Sequence, residues 1–97
     1  MKPDYEALVA RGFSHFKLGK DDLALKDYNT AITLNYSSPE RVYYNRAVLY
    51  ARKKDTRKAI QDLAKATKDP YYKREAQKDQ QFDSLRNDPN FIMLVGP

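Results

Sequence analysis

Apolar residues recur at intervals of three and four along most of this 97-residue chain. That spacing puts them on one face of an α-helix, so each segment is predicted to be an amphipathic helix. No segment bounded by turn residues alternates apolar and polar positions as a β-strand does. The pattern predicts an all-α fold, with helices at about residues 4–18, 22–34, 39–53, 56–67, 70–79 and 89–95.

Proline and capping residues indicate where these helices begin. Proline follows a polar residue at four predicted helix starts, Lys2-Pro3, Ser38-Pro39, Asp69-Pro70 and Asp88-Pro89. Proline suits the first helical position because the N–H that it lacks has no partner there. Turns are predicted at residues 19–20 and 53–54, after which Asp21 and Asp55 are expected to cap the next helices. Because the linkers are short, neighbouring helices should pack antiparallel.

One helix pattern occurs twice. The segment DDLALKDYNTAI at residues 21–32 aligns with TRKAIQDLAKAT at residues 56–67, an offset of 35 positions that puts Ala24 on Ala59. Small residues at fixed places let two helices approach closely, whereas larger side chains there would force them apart. The alignment therefore predicts one helix-turn-helix unit built twice.

This repeat resembles the tetratricopeptide repeat, a helix-turn-helix unit of roughly 34 residues with large, small and aromatic residues at set places. The residues at these places in the first unit are Leu8, Gly12, His15, Gly19, Ala24, Tyr28 and Ala31. Those in the second unit are Tyr43, Ala47, Tyr50, Lys54, Ala59, Leu63 and Ala66. Two depart from the family pattern: His15 stands at the aromatic place and Lys54 at the place of the turn glycine. The resemblance covers residues 5–70 and implies antiparallel helix pairs stacked as a short right-handed superhelix.

The last segment resembles the ending of many bacterial-type tetratricopeptide proteins, which has the pattern F-x-x-L-R-x-D-P-x-F. The matching residues are Phe82, Leu85, Arg86, Asp88, Pro89 and Phe91. A repeat array needs a terminal element that hides its last apolar face, and five residues are expected to do so: Phe82, Leu85, Phe91, Ile92 and Leu94. We expect one domain over residues 1–97, with repeats at about 4–36 and 37–70 and a cap at about 70–97.

In this family the first helices of successive units line a concave groove that receives peptides or partner segments. Transferred by position, the expected groove residues are Glu6, Val9, Phe13, Phe16, Lys17, Arg41, Tyr44, Asn45, Val48, Arg52 and Lys73. An apolar floor with a basic rim suits an extended segment that carries a carboxylate. The carboxylate clamp of chaperone cofactors is matched only by Asn45 and, by position, Lys73, while Val9, Phe13 and Gln77 stand at its other places. We therefore do not expect that clamp.

Composition argues against catalysis. The chain has no cysteine and one histidine, so thiolate chemistry, disulfides and a histidine metal cluster are not expected. His15 occupies an aromatic packing place and is expected to be buried or half-buried with one hydrogen bond. Neither a Ser-His-acid arrangement nor a glycine-rich phosphate loop can be assembled. The sequence predicts a protein without enzymatic activity and without a cofactor.

The net charge of +5 lies entirely within residues 37–70. We expect a protein-interaction adaptor for a peptide or protein partner, with acidic or C-terminal ligands favoured. A nucleic-acid-associated repeat is less favoured; it would use Tyr43, Tyr44, Tyr50, Tyr71 and Tyr72 for base stacking and Arg46, Arg52, Lys53, Lys54, Arg57 and Lys58 for phosphates. Self-assembly through the end faces is the third alternative, with a monomer favoured. A cytoplasmic location is expected, because no apolar run approaches the length of a membrane span or forms the core of a secretory signal.

Overall fold

The computed structural model describes residues 4–34 and 38–96. These residues form six α-helices and one 3-10 helix: α1 (Tyr5–Lys17), α2 (Asp21–Thr33), α3 (Glu40–Arg52), α4 (Thr56–Ala66), α5 (Pro70–Lys78), the 3-10 helix (Gln80–Leu85) and α6 (Pro89–Val95). The all-α prediction is confirmed, and each predicted helix bound is within one residue of the observed bound. The 3-10 helix was not predicted.

Aspartate side chains cap four of the α-helices. Asp4, Asp55, Asp69 and Asp88 each accept a hydrogen bond from a backbone N–H in the first turn of α1, α4, α5 and α6. An N-cap carboxylate satisfies a donor that the helix itself leaves unpaired. The predicted starts at Asp55, Asp69 and Asp88 are confirmed.

Two predicted caps are wrong. Pro39, not Ser38, is the N-cap residue of α3, and no side chain caps that end. Asp21 is the first residue of α2 rather than its cap, and its carboxylate is paired with Arg52 of α3. The predicted start at Lys2-Pro3 lies outside the described residues.

The two hairpins, α1 with α2 and α3 with α4, are closed by small residues. Gly12 lies against the ring of Tyr28, and a Cβ atom at Gly12 would stand only 2.6 Å from Tyr28 Cε1. The second hairpin has Ala47 and Leu63 at the same places, and both are fully buried. The aromatic ring in the first hairpin therefore requires glycine, whereas the smaller leucine in the second leaves room for alanine.

An Arg–Asp ion pair is repeated in both hairpins. Arg11 donates two hydrogen bonds to Asp27, at 2.8 and 2.7 Å, and Arg46 donates two to Asp62, at 2.7 and 2.8 Å. The hydrogen bonds from Arg11 hold the pKa of the Asp27 carboxyl below its usual value. The second pair is more enclosed, since the Arg46 side chain is 17% exposed and the Arg11 side chain 64%. Each pair joins the first helix of its hairpin to the second.

The turns inside the two hairpins share one backbone conformation. Gly19 has a φ of 76° and Lys54, 35 positions later, has a φ of 66°. Positive φ is costly for a residue with a Cβ atom, so glycine is the usual choice. The second hairpin keeps the turn although a lysine stands at that place.

Oppositely charged side chains join the two hairpins. Three basic residues of the second unit pair with three acidic residues of the first: Arg41 with Glu6, Arg52 with Asp21 and Lys53 with Asp22. Arg46 adds a hydrogen bond to the side chain of Asn29 at 2.8 Å. Much of the positive charge of residues 37–70 is therefore directed at acidic groups of the same chain.

The segment after α4 packs on the second hairpin. Phe82, Leu85 and Phe91 are each at most 2% exposed and join the apolar cluster that contains Leu63. Arg86 donates to three carbonyl oxygens at the end of α5, those of Ala76, Gln77 and Asp79. These side chains therefore stabilise the segment. That the segment caps the array stays a prediction.

One predicted buried residue of this segment is exposed. Ile92 is 43% exposed, so the expectation that it hides the last apolar face is wrong. The short helix α6 instead turns Phe91 and Val95, four positions apart, toward the core, which leaves Ile92 and Met93 on the outer side.

Candidate functional site

A small pocket opens between α1, α3 and the 3-10 helix. Its volume is about 120 Å³, and its lining residues are Phe13, Phe16, Tyr28, Tyr44, Asn45, Val48 and Gln81. Four of the seven are aromatic, and Asn45 and Gln81 add side-chain amides that can orient a ligand backbone. This combination of an apolar wall and a few polar groups is typical of a binding pocket.

Two phenylalanines of α1 form one wall of the pocket. The rings of Phe13 and Phe16 are stacked with centroids 6.3 Å apart, and Phe13 is 44% exposed. The Lys17 ammonium lies 5.3 Å from the Phe13 centroid, and the Arg52 guanidinium lies 3.7 Å from that of Phe16. An exposed aromatic ring beside an open pocket is available as an anchor for an apolar ligand group.

A larger cleft continues from this pocket toward the turns of the hairpins. Its volume is about 540 Å³, and its lining residues are Phe16, Lys17, Val48, Ala51, Arg52, Lys54, Gln80, Gln81 and Ser84. The pocket and the cleft share Phe16, Val48 and Gln81. We call the two together the groove.

The structure brings together seven of the eleven residues that the sequence assigned to the groove. Those seven are Phe13, Phe16, Lys17, Tyr44, Asn45, Val48 and Arg52. Two of them present little surface, since Tyr44 is 8% exposed and Val48 is 6% exposed. They form the floor, and Phe13 and Lys17 form the accessible edge.

Tyr44 is fixed in that floor by its hydroxyl group. The phenol donates a hydrogen bond of 2.7 Å to the Asp79 carboxylate, and its ring packs edge-on against Phe82 with centroids 5.5 Å apart. Burial, together with this hydrogen bond, raises the pKa of Tyr44. Tyr44 therefore stays neutral and rigid, which suits a structural floor rather than proton transfer.

Four predicted groove residues lie elsewhere. Val9 is completely buried in the core of the first hairpin, so the expectation that it faces a ligand does not hold. Glu6 and Arg41 pair with each other at 2.8 Å, away from the groove lining. Lys73 is exposed on α5 and lines neither the pocket nor the cleft.

The groove residues that were assigned by position from the family did not include any residue of the 3-10 helix. Gln80, Gln81 and Ser84 reach the groove because α5 ends at Lys78 and the chain restarts as a 3-10 helix. Asp79 caps that restart by accepting a hydrogen bond of 3.0 Å from the Gln81 N–H. An aspartate before two polar residues was the available signal, since aspartate favours helix N-caps.

The described residues do not assemble the carboxylate clamp. Asn45 lines the pocket, but Val9 is buried and Phe13 is an exposed aromatic residue where the clamp has polar groups. Gln77 donates a hydrogen bond to the Val95 carbonyl, which joins α5 to α6. A ligand carboxylate in this groove would have to meet other cations.

The cations considered for phosphate binding do not form one free patch. Arg46 is held by Asp62 and by Asn29, and its guanidinium lies 5.6 Å from the rings of both Tyr43 and Tyr50. Arg52 and Lys53 are paired with aspartates of α2. A row of available cations along one edge, which the nucleic-acid hypothesis needs, is therefore interrupted.

His15 is half-buried beside a carboxylate. Its side chain is 23% exposed, and its Nε2 lies 3.8 Å from Asp27 Oδ2. Within residues 4–34 and 38–96, no group of three or more His, Cys, Asp and Glu side chains is placed to hold a metal ion. In the same part of the chain, no helix is long and apolar enough to cross a membrane.

Stacked helical hairpins with a groove lined by their first helices define a helical-repeat protein. The family model described as Tetratricopeptide repeat matches residues 5–38 and 40–68. The chain belongs to the tetratricopeptide repeat family, and two repeats are present as the sequence predicted. Repeats of this family generally mediate protein–protein interaction. No curated protein and no solved structure gives a match to the chain.

Proposed function

We propose that this chain is a non-enzymatic interaction module whose groove holds an extended segment of a protein partner. The observation that carries the proposal is the exposed Phe13 ring at the open edge of the pocket that Phe16, Tyr44 and Val48 complete. A partner side chain entering that pocket would be covered by apolar surface on several sides, which is how a few anchor residues supply most of the binding energy.

The proposed organisation is one domain with a C-terminal cap. Residues 4–36 and 37–70 are the two repeats, and residues 70–97 close the apolar face of the second hairpin. The burial of Phe82 and Leu85 against that hairpin supports the cap, because an uncovered repeat would leave this surface in water. A monomer and a cytoplasmic location remain part of this proposal.

The test uses a display library of random peptides selected against the purified chain. Phe13→Gln removes the exposed ring without adding charge, and we expect the selected peptides to bind it at least about tenfold more weakly, the loss of one strong anchor. Leu23→Gln is the matched control, because Leu23 is 47% exposed and lies in the first turn of α2 outside the groove. Circular dichroism verifies that both variants remain folded.

Three results would contradict the proposed groove function. Selected peptides that bind wild-type protein and Phe13→Gln equally well would place the interaction on another surface. Light scattering that shows concentration-dependent association, abolished by Phe13→Gln, would mean that the ring serves self-assembly instead. Selected peptides that, once synthesised, do not bind the wild-type protein in solution would count against peptide binding by this chain.

A further inference from the structure

The groove carries two kinds of surface next to each other. The pocket is bounded mainly by aromatic and aliphatic side chains, and the cleft adds three cations, Lys17, Arg52 and Lys54. Because Phe16 and Val48 line both spaces, one extended segment passing over them reaches the pocket and the cleft together. Adjacent residues of a ligand would therefore meet different chemistry.

The cleft has cations without matching acids. No carboxylate is among its described lining residues. Arg52 is partly neutralised by Asp21, but among the described residues neither Lys17 nor Lys54 has an ion-pair partner. The Lys17 ammonium group lies 5.3 Å from the centroid of the Phe13 ring, so a residue of the cleft lining is next to a residue of the pocket lining.

Lys54 is positioned by the backbone of the turn. Its φ of 66° is a conformation that glycine usually occupies, and the corresponding residue of the first hairpin is Gly19. The lysine thus adds a cation to the cleft edge at a place where the fold itself favours a residue without a side chain. Gln80 and Gln81, which also line the cleft, have side-chain amide donors for the same ligand group.

We propose that the groove selects a peptide segment in which an acidic side chain lies next to an apolar one. The apolar side chain enters the pocket beside Phe13, and the carboxylate is bound in the cleft between Lys17 and Lys54. This inference rests on the groove function proposed above and adds the class of ligand. The Arg46, Arg52 and Lys53 pairings disfavour a nucleic acid, which needs several free cations in a row.

The test selects random peptides flanked on both sides by neutral linkers, so that no free chain end lies near the binding residues. We expect Asp or Glu to be enriched beside an apolar residue. The double variant Lys17→Glu with Lys54→Glu should bind these peptides at least about tenfold more weakly, and a new selection on it should enrich Lys or Arg at the same position.

Lys26→Glu with Lys68→Glu is the matched control. It changes the net charge by the same amount at two exposed lysines outside the groove lining, and it should leave the affinity within about twofold of wild type at physiological salt. The wild-type affinity for the acidic peptides should also fall as salt is raised, because exposed charge pairs are screened.

The outcomes separate this inference from the groove itself. Peptides that lose affinity for Phe13→Gln but keep it for Lys17→Glu with Lys54→Glu leave the groove in place and overturn the acidic preference. Peptides that bind both variants as tightly as they bind the wild-type protein overturn both proposals. Binding that requires a free terminal carboxylate, or displacement of the peptides by a single-stranded oligonucleotide, overturns the choice of an acidic side chain as the ligand.

Discussion

At the scale of single residues, the chain shows how one side chain decides what its neighbour can be. Gly12 and Tyr28 in the first hairpin stand where Ala47 and Leu63 stand in the second. A Cβ atom at Gly12 would be 2.6 Å from the Tyr28 ring, which lies in a fully buried core and has little room to move. The two positions in each hairpin therefore act as a pair.

Gly12→Ala is expected to lower the free energy of unfolding by about 1–3 kcal/mol, since overpacking outweighs the higher helix propensity of alanine. Tyr28→Leu alone should also destabilise, because it leaves a cavity. The double variant, which copies the second hairpin, should lose less than the sum of the two single losses. Urea unfolding of the four proteins measures this coupling, and strictly additive losses would contradict the steric pairing.

At the scale of helices, the repeated Arg–Asp pair ties the first helix of each hairpin to the second. Sequence alignment showed that Asp27 and Asp62 correspond, but it did not reveal that Arg11 and Arg46 are their partners. Their environments also differ, because α2 and its Asn29 cover Arg46 while no described helix covers Arg11. The Arg–Asp pair is therefore expected to contribute differently to stability in the two units.

Asp62→Asn should lower the free energy of unfolding by about 1–3 kcal/mol, because it leaves the largely buried Arg46 guanidinium without its carboxylate. Asp27→Asn should lower the free energy of unfolding by clearly less, since water can solvate the exposed Arg11. Thermal and urea unfolding of the two variants give the comparison. Equal losses would mean that the environment of the arginine does not decide the strength of the pair.

At the scale of the whole molecule, the protein is an elongated body of 44 × 27 × 19 Å with an apolar cluster in each half. Each cluster contains a buried tyrosine, Tyr28 in the first and Tyr44 in the second. A phenolate in such a cluster would lose its hydration, so both tyrosines must be neutral in the folded protein. Stability should therefore depend on alkaline pH.

Burial raises the pKa of Tyr28 from 10.0 to about 12. A pKa that is higher in the folded state gives stability that is fully present below pH 10.0 and is lost as the pH rises through about 12. We expect the free energy of unfolding to fall across this range, with Tyr28 accounting for up to about 2–3 kcal/mol. Denaturant titrations at successive pH values measure the loss.

Tyr28→Phe should weaken that pH dependence while keeping most of the ring packing. Tyr71→Phe is the control, because Tyr71 is 53% exposed and lies outside the cluster that contains Tyr28. A profile of Tyr28→Phe that matches wild type would show that ionisation of this phenol does not drive the alkaline loss of stability.

The groove was predicted in part for a physical reason. Phe13, Phe16 and Asn45 could be placed because they lie on α1 and α3, whose faces follow from helical periodicity. Val9 was misplaced because a residue near the edge of a helix face is buried or exposed according to how closely the next helix packs. Gln81 was missed because the break at Asp79 redirects the chain across α3.

The sequence by itself determined the helices, their order and the duplicated unit, because apolar periodicity, aspartate caps and small residues act over a few neighbouring positions. Only the tertiary structure decided which charges remain available. Arg41, Arg52 and Lys53 meet acidic groups of the first hairpin, whereas Lys17 and Lys54 stay unpaired within the described chain at the edge of the cleft. Charge pairing depends on distances between side chains far apart in sequence, which packing of the two hairpins sets.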